Sequence, residues 1–449
     1  MMRKKLLAAL LVAIMVLTAG CGTKAPEVKP VTLTVWHYFS GAQKEALDAV
    51  VTDFNATVGK DNKITVTAEN QGTTADLQKK VQTASEAGLA NLPDIIHGYP
   101  DITATLHAKG FIADMGSYVS KEDLADYYEG FIAEGSQFEG GEFRLMPVAK
   151  SSELLFLNRS LWDNIKGQIG CTDADLTNWE GIAKAGKAYT AKTGKSFFGI
   201  DSMANFFYLS GYQDGIEFVT PGKFTSNEAA EQKIYNFVAD GIADGWLVTK
   251  DANKKYNSDF MNDGTAVCYV GSNSGTTYLN PKTDKSQATE DTLNCLSYPV
   301  WTGATAAVIQ QGAGMSIAKK GEEKEKAAVK FLLFLTNAAN TAKFSMASGY
   351  LPVRKSASTD KTFSDFLAGK DAAGKALALP AAKVSMAVNA VLTQFKTYKT
   401  YYTPAFTNSN VIRDKVDEQM MKIVTGTYTD FQTFYTNLNT EVQTIITGR

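Results

Sequence analysis

Residues 31–101 alternate between strand-like and helix-like segments, and that order restricts the fold more than any other stretch does. VTLTVWHYF from Val31 is β-rich, and Ser40 and Gly41 then open a helical pattern. Leu47, Val50, Val51 and Phe54 follow at i, i+3, i+4 and i+7, which is one buried helix face. KITVTAE from Lys63 predicts a second strand, Leu77 to Ala90 a second helix, and NLPDIIHG a third strand after Pro93. A β-α-β-α-β order predicts an α/β fold with a parallel sheet and right-handed crossovers. Such sheets bind ligands outside the carboxyl ends of their strands. Trp36, His37 and Tyr38 stand at one such end, and Gly98, Tyr99, Pro100 and Asp101 at another.

The α/β character continues. GEFRLMPVAKSSELLFLNRSLW predicts an extended segment, a break at Pro147 and a strand ending at Asn158. Helices are predicted around Trp179 to Thr190 and Glu228 to Asp244, a Gly- and Ser-rich turn over Val270 to Leu279, and a polar surface loop over Pro281 to Asp291. The chain is extended again after Tyr298, enters a strong helix through Phe331, Leu332 and Leu335, and is helical with breaks over its last hundred or so residues. No repeat of solenoid length is present.

Ahead of the first strand lies a leader. Arg3, Lys4 and Lys5 precede an apolar stretch from Leu6 to Leu17, shorter than the roughly 20 residues a spanning helix needs, so it reads as an export signal. Leu17, Thr18, Ala19 and Gly20 run into Cys21 and resemble a bacterial lipobox, which implies lipidation of Cys21. The alternative is a plain secretory signal with an incidental cysteine. Acyl chains add roughly 0.8 kcal/mol per buried CH₂, enough for a multiply acylated Cys21 to hold a soluble protein on a membrane surface. GTKAPEVKP, residues 22–30, reads as a tether.

The part after the leader is too long for one ordinary core and suits two. With 44% apolar and 20% charged residues it has the composition of a folded globular protein. A formal charge of −2, more negative once the basic leader is gone, excludes a nucleic-acid footprint. Cys171, Cys268 and Cys295 meet oxidising conditions in an exported chain, so either Cys268 pairs with Cys295 or all three are unpaired buried thiols. Three scattered histidines and no Cys-x-x-Cys exclude a zinc site, and no cofactor motif is present.

Catalytic signatures are missing. Gly271-Ser272-Asn273-Ser274-Gly275 places asparagine where a nucleophile elbow needs serine. The turn either aims hydroxyls and N–H groups at a ligand or merely connects two elements. Several aromatics, Trp36, Tyr38, Tyr99, Trp301 and Tyr350, stand at predicted strand ends, where a ring suits the apolar face of a sugar or packs in a core. Arg413 stands just after Asn408, Ser409 and Asn410, at the start of an amphipathic helix carrying Ile412, Val416, Met420 and Ile423. A guanidinium beside free helix N–H groups makes an anion site; the competing reading pairs it with Asp417 four residues on.

Several of these segments, taken together and in order, resemble the extracellular solute-binding proteins of ABC importers, in the sugar-binding family that includes maltose-binding protein. VTLTVWHYFSGAQKEALDAVVTDFN, MPVAKSSELLFLNRSLW, DFMNDGTAVCYVGSNSG (with Met261 where phenylalanine is usual) and GAGMSIAKKGEEKEKAAVKFLLFLTNAANTAKFSMASGYLPVRKSA carry the resemblance over nearly all of the exported chain. Within that family the chain is most similar to the sn-glycerol-3-phosphate binders. Their pocket tyrosine matches Tyr350, their glycine Gly312, and the arginine of Ile-Arg-x-x-Val-Asp-Glu matches Arg413. Their serine-rich turn matches Ser272, and their hinge serine falls at or beside Ser151. In the places of a glutamate and a tyrosine stand Pro100, beside Asp101, and Thr74, and the paired tryptophans fall near Asp201 and Ala204.

The resemblance implies a two-lobed, type II periplasmic-binding-protein-like α/β fold with three hinge crossings, near Met146 to Val148, Val300 to Ala307 and Leu351 to Val353. Residues 1–20 would be the signal and 21–30 the tether. Residues 31–146 with 304–351 would form the N-terminal lobe, and 147–303 with 352–449 the C-terminal lobe. The expected site comprises Trp36, His37, Tyr99, Asp101, Ser151, Ser272, Gly312, Tyr350 and Arg413. The implied function is capture of a carbohydrate or polyol phosphate without bond chemistry, and without cofactor or metal. Delivery would be to an ABC permease with its ATPase, from the outer face of the cell membrane or the periplasm, through the lipid anchor. A neutral mono- or oligosaccharide binder on the same scaffold is the alternative, and a surface-anchored glycosidase the reading of another class.

Overall fold

The computed structural model describes residues 29–250, 256–280 and 292–448. Cys21, the leader, the tether up to residue 28 and the loop expected at 281–291 lie outside the described residues. The expected alternation is present as β1 (Val31–His37), α1 (Gly41–Ala56), β2 (Ile64–Asn70), α2 (Thr74–Glu86), β3 (Ile95–Gly98) and α3 (Pro100–Ala108). β1 pairs in parallel with both β2 and β3. α2 begins earlier than its apolar periodicity suggests, because Thr73 and Asp76 cap its first turn reciprocally. It ends before Gly88, whose φ of 108° no helix tolerates.

The chain continues through α4 (Glu129–Gly135), β4 (Met146–Asn158), α5 (Trp179–Thr193), β5 (Phe198–Ile200), α6 (Met203–Gln213), α7 (Glu228–Ala243), β6 (Leu247–Thr249), β7 (Cys268–Ser272), β8 (Leu293–Leu296) and β9 (Ala307–Ile317). It closes with α8 (Glu322–Leu335), α9 (Ala338–Ser348), α10 (Leu379–Gln394), β10 (Lys399–Tyr401), α11 (Ser409–Val424) and α12 (Phe431–Thr447). Among the described residues no helix is long and apolar enough to cross a membrane.

One sheet runs β2-β1-β3-β9-β4-β7-β5-β6, with β8 beside β4 and β10 beside β9. Its two ends are parallel, and its waist is the antiparallel pair β9–β4. β4 is buried along its whole length, so its alternate residues feed opposite faces. Leu154 and Phe156 join the core that begins under β1 and β3 and is covered on this side by α10, whereas Leu155 and Leu157 join the core built by α5, α6, α7, α11 and α12.

One expectation is corrected and one open alternative is decided. Pro147 does not break the strand: it pairs opposite Gly314, where the register of β9 shifts between Ala313 and Gly314, and a bulge accommodates the missing N–H. All three described cysteines are free. Cys268 pairs with Leu157 and Cys295 with Phe156 from opposite edges of β4. Two strand spacings, roughly 9–10 Å, separate them, beyond the about 7 Å between Cα atoms that a disulfide spans.

At the waist, Gly312 has a φ of 97°, and a Cβ placed on it would lie 2.1 Å from the carbonyl oxygen of Ala149. Gly312→Ala must therefore strain both crossing strands, and should lower stability in urea titrations by at least about 1–3 kcal/mol. Gly167→Ala, with open space around its Cβ position, is the control. Equal midpoints for the two variants would refute the assignment.

Candidate functional site

Where the waist meets the strand ends, a cavity of about 300 Å³ opens. The first turn of α3 supplies Pro100 and Asp101 after Tyr99, α2 supplies Thr74 and Gln78, and α4 supplies Glu134. From the other side come Asn205 of α6 and Asn410, Arg413 and Asp414 of α11. The floor is Ile309, Gln310, Gln311 and Gly312 of β9. α11 begins at Asn408, which has a φ of 70° and makes no side-chain cap. The Ser409 N–H donates to the Phe406 carbonyl oxygen at 3.0 Å, and those of Asn410 and Val411 are left for a ligand.

Arg413 is held by Ser202, the N-cap of α6, whose Oγ accepts from Nη2 at 3.1 Å. Its Nη1 is buried and has no partner. The pairing with Asp417 is not made: Asp417 bonds Lys250 at 2.8 Å. Arg413 also walls a second chamber of about 430 Å³ that Asp201, Ala204 and Asp417 line.

Acidic groups share the cavity region with this cation. Asp101 accepts from Gln78 Nε2 at 3.0 Å, and burial pushes its carboxyl above the usual range. Burial does the same to Asp414. Behind the wall, burial pushes Glu153 up to about 7, with the charge of Asp201 adding and a hydrogen bond from Asn205 opposing. At the floor, Glu134 Oε2 receives Lys150 Nζ at 2.5 Å and Gln310 Nε2 at 2.7 Å.

Of the expected site residues, the structure brings Tyr99, Asp101, Gly312 and Arg413 to the cavity wall. Thr74 and Pro100, the departures from the resembled pattern, stand there too. The other five do not line it. Trp36 donates to Glu69 at 3.0 Å and packs against the small core of Leu77, Ile96 and Ile102 on the face of β1 opposite His37. His37 is fully buried, its Nδ1 accepts the Phe39 N–H at 3.1 Å, and burial holds its pKa down to about 4, so it is a neutral core residue. Ser151 is buried opposite Gln311 in the β4–β9 pair. Ser272 caps the turn after β7 by accepting from Ser274 N at 3.3 Å. Tyr350 is buried and stacks on Phe344, with ring centroids 6.1 Å apart.

The residues not anticipated include Gln78, Glu134, Asn205, Gln310, Gln311 and Asp414. The signal for two of them is in the sequence: consecutive glutamines inside the apolar strand AVIQQGAGMSI, directly before a glycine, are polar groups with no business in a core.

Residues 49–373 match the family described as bacterial extracellular solute-binding protein. No curated protein matches the chain by sequence. Among solved structures, UgpB from Mycobacterium tuberculosis in complex with glycerophosphocholine is 20% identical with a TM-score of 0.74, over 94% of this chain and 99% of that one. The cyclic alpha-maltosyl-1,6-maltose binding protein from Arthrobacter globiformis is 17% identical with a TM-score of 0.73, over 94% and 100%. Maltose-bound MalE3 from T. maritima is 17% identical with a TM-score of 0.69, over 92% and 99%. At such identities the likeness is one of fold, a two-lobed α/β architecture.

Proposed function

We propose, from the premise that this chain belongs to the bacterial extracellular solute-binding proteins, that it captures a polyol or carbohydrate phosphate in the cleft between its lobes and delivers it to an ABC permease. The family is one of substrate-binding proteins and not of enzymes. The observation that carries the ligand class is Arg413: a guanidinium with a buried, unpaired Nη1 beside the open N-terminus of α11 is a site for a phosphoryl oxygen. A structural neighbour whose bound ligand is a glycerophosphodiester supports the same class.

The lobes are taken as 31–146 with 304–351, and 147–303 with 352–449. Closure about β4 and β9 would bury the ligand and mark the loaded state for the permease and its ATPase. A lipid on Cys21 would hold the protein on the outer face of the membrane, with residues 22–30 as the tether.

A second reading, a neutral mono- or oligosaccharide, is favoured by the acidic and amide groups in the wall. Asp101 and Asp414 accept hydroxyls, and Gln78, Asn205, Gln310 and Gln311 suit them in either role. Calorimetry of the soluble form separates the two. sn-Glycerol 3-phosphate and glycerophosphocholine should bind at least tenfold more tightly than maltose. The reverse order replaces the phosphate reading with the saccharide one.

A further inference from the structure

Glu153 is a carboxylate in the apolar strand segment SSELLFL, 3% exposed, and it does not itself line the cavity. Its Oε1 lies 2.6 Å from Nδ2 of Asn205, which does line it. Asn205 is 1% exposed and sits in the first turn of α6, where its N–H donates to Ser202, the residue that also holds Arg413. The second hydrogen on Nδ2 goes to Gln311 Oε1 at 3.1 Å. Its Oδ1 is buried without a partner.

We propose that Glu153 dictates which group Asn205 offers to the ligand, so that the cleft requires a hydroxyl or N–H donor on the ligand next to the group that Arg413 holds. The available hydrogens decide the orientation. An ionised carboxylate only accepts, so the amide atom facing it is the nitrogen. Gln311 takes the other hydrogen, and the amide oxygen is what remains. That buried acceptor is satisfied only by a donor, which a phosphoryl group with no free hydroxyl beside it lacks. The wall thus reads two features at once: an acceptor for Arg413 and a donor for Asn205. The inference takes the cavity of the proposed function as the ligand site but does not need the ligand to be a phosphate.

Protonation supplies a second handle. The ionisable groups acting on Glu153 are Asp201, at the end of β5, and Arg413, on α11; Tyr298 also senses its charge. With a pKa near 7, Glu153 gains a proton as pH falls from 8 to 5.5 and becomes a donor itself. Asn205 is then free to turn, and the demand for a ligand donor relaxes.

The test compares sn-glycerol 3-phosphate with propyl phosphate, which keeps the phosphoryl group and lacks both hydroxyls. At pH 8 the wild-type protein should prefer the glycerol ester by about tenfold or more, since an unpaired buried acceptor costs at least that factor. The ratio should shrink toward pH 5.5. Asn205→Ala should bring it near one at both pH values. Glu153→Gln keeps the shape and removes the ionisation, so it should lower the ratio and abolish its pH dependence. A wild-type ratio near one, with binding of both esters lost in Arg413→Ala, overturns this inference and leaves the phosphate reading standing. If neither ester binds, the phosphate reading falls, and amide exchange in the ligand-free protein decides. Both Nδ2 hydrogens of ¹⁵N-labelled Asn205 should be protected at pH 8, and the one facing residue 153 released in Glu153→Leu, which offers no acceptor. Rapid exchange of either in the wild-type protein refutes the orientation.

Discussion

Lys150→Met is expected to destabilise the protein by about 3–5 kcal/mol, the cost of leaving a buried charge without its partner. Lys150 and Glu134 are 2% and 4% exposed, so neither can turn to water. Nζ reaches Glu134 Oε2 at 2.5 Å and the carbonyl oxygen of Gly312 at 3.0 Å, which ties α4 and both crossing strands at one point. Burial pulls the Lys150 pKa down and the Glu134 charge opposes it, so the lysine keeps its charge only in company. Removing the lysine leaves Glu134 with an amide donor from Gln310 and no counter-charge. Replacing both, Lys150→Met with Glu134→Leu, should recover most of the loss, because an apolar pair carries no desolvation debt. Urea titrations of the four proteins complete the cycle. A single variant within about 1 kcal/mol of wild type would show that the pair is solvated in solution.

Arg413→Ala should weaken a phosphorylated ligand by at least tenfold. A hydrogen bond to a charged group is worth roughly 1.5–3 kcal/mol, and about 1.4 kcal/mol is one decade. Lysine at this position should restore only part, since Ser202 and the ligand are reached through two arms of one planar fork. The variant also removes the wall between the two chambers, so maltose binding serves as a control for collapse of the site. Wild-type preference for a neutral sugar, unchanged in Arg413→Ala, would retire the phosphate reading.

The alternation from β1 to α3 was legible because each segment carries its own period, whereas for Arg413 charge at a helix start left an anion site and a pair with Asp417 both open, and only the resemblance of IRDKVDE chose the first. His37 was misplaced even though the needed signal is local. Leu33, Val35, His37 and Phe39 alternate on the buried face of β1 and its extension, and period two alone sends His37 inward. Tyr350 follows a helix-ending glycine, and its burial depends on Phe39 and Phe344, which no local pattern specifies. The cysteine question turned on strand order: β7 and β8 are neighbours in sequence yet flank β4 from opposite edges. Glu134, Lys150 and Gln310 meet across three elements, and only the assembled sheet brings them together.

The antiparallel waist also separates two properties that a binding protein is usually thought to tune together. If only the closed arrangement grips the ligand, the apparent dissociation constant is the intrinsic one divided by the fraction of molecules able to close. On the proposed closure about β4 and β9, Lys150 and the β4–β9 pair would govern that fraction. Changes there that spare the wall multiply the affinity for every ligand by a common factor and leave the ranking among ligands intact. Asn205, Arg413 and Asp101, as the proposed ligand contacts, would act on the ranking itself. On that reading gain and selectivity fall to different stretches of the chain, and one could drift while the other is held.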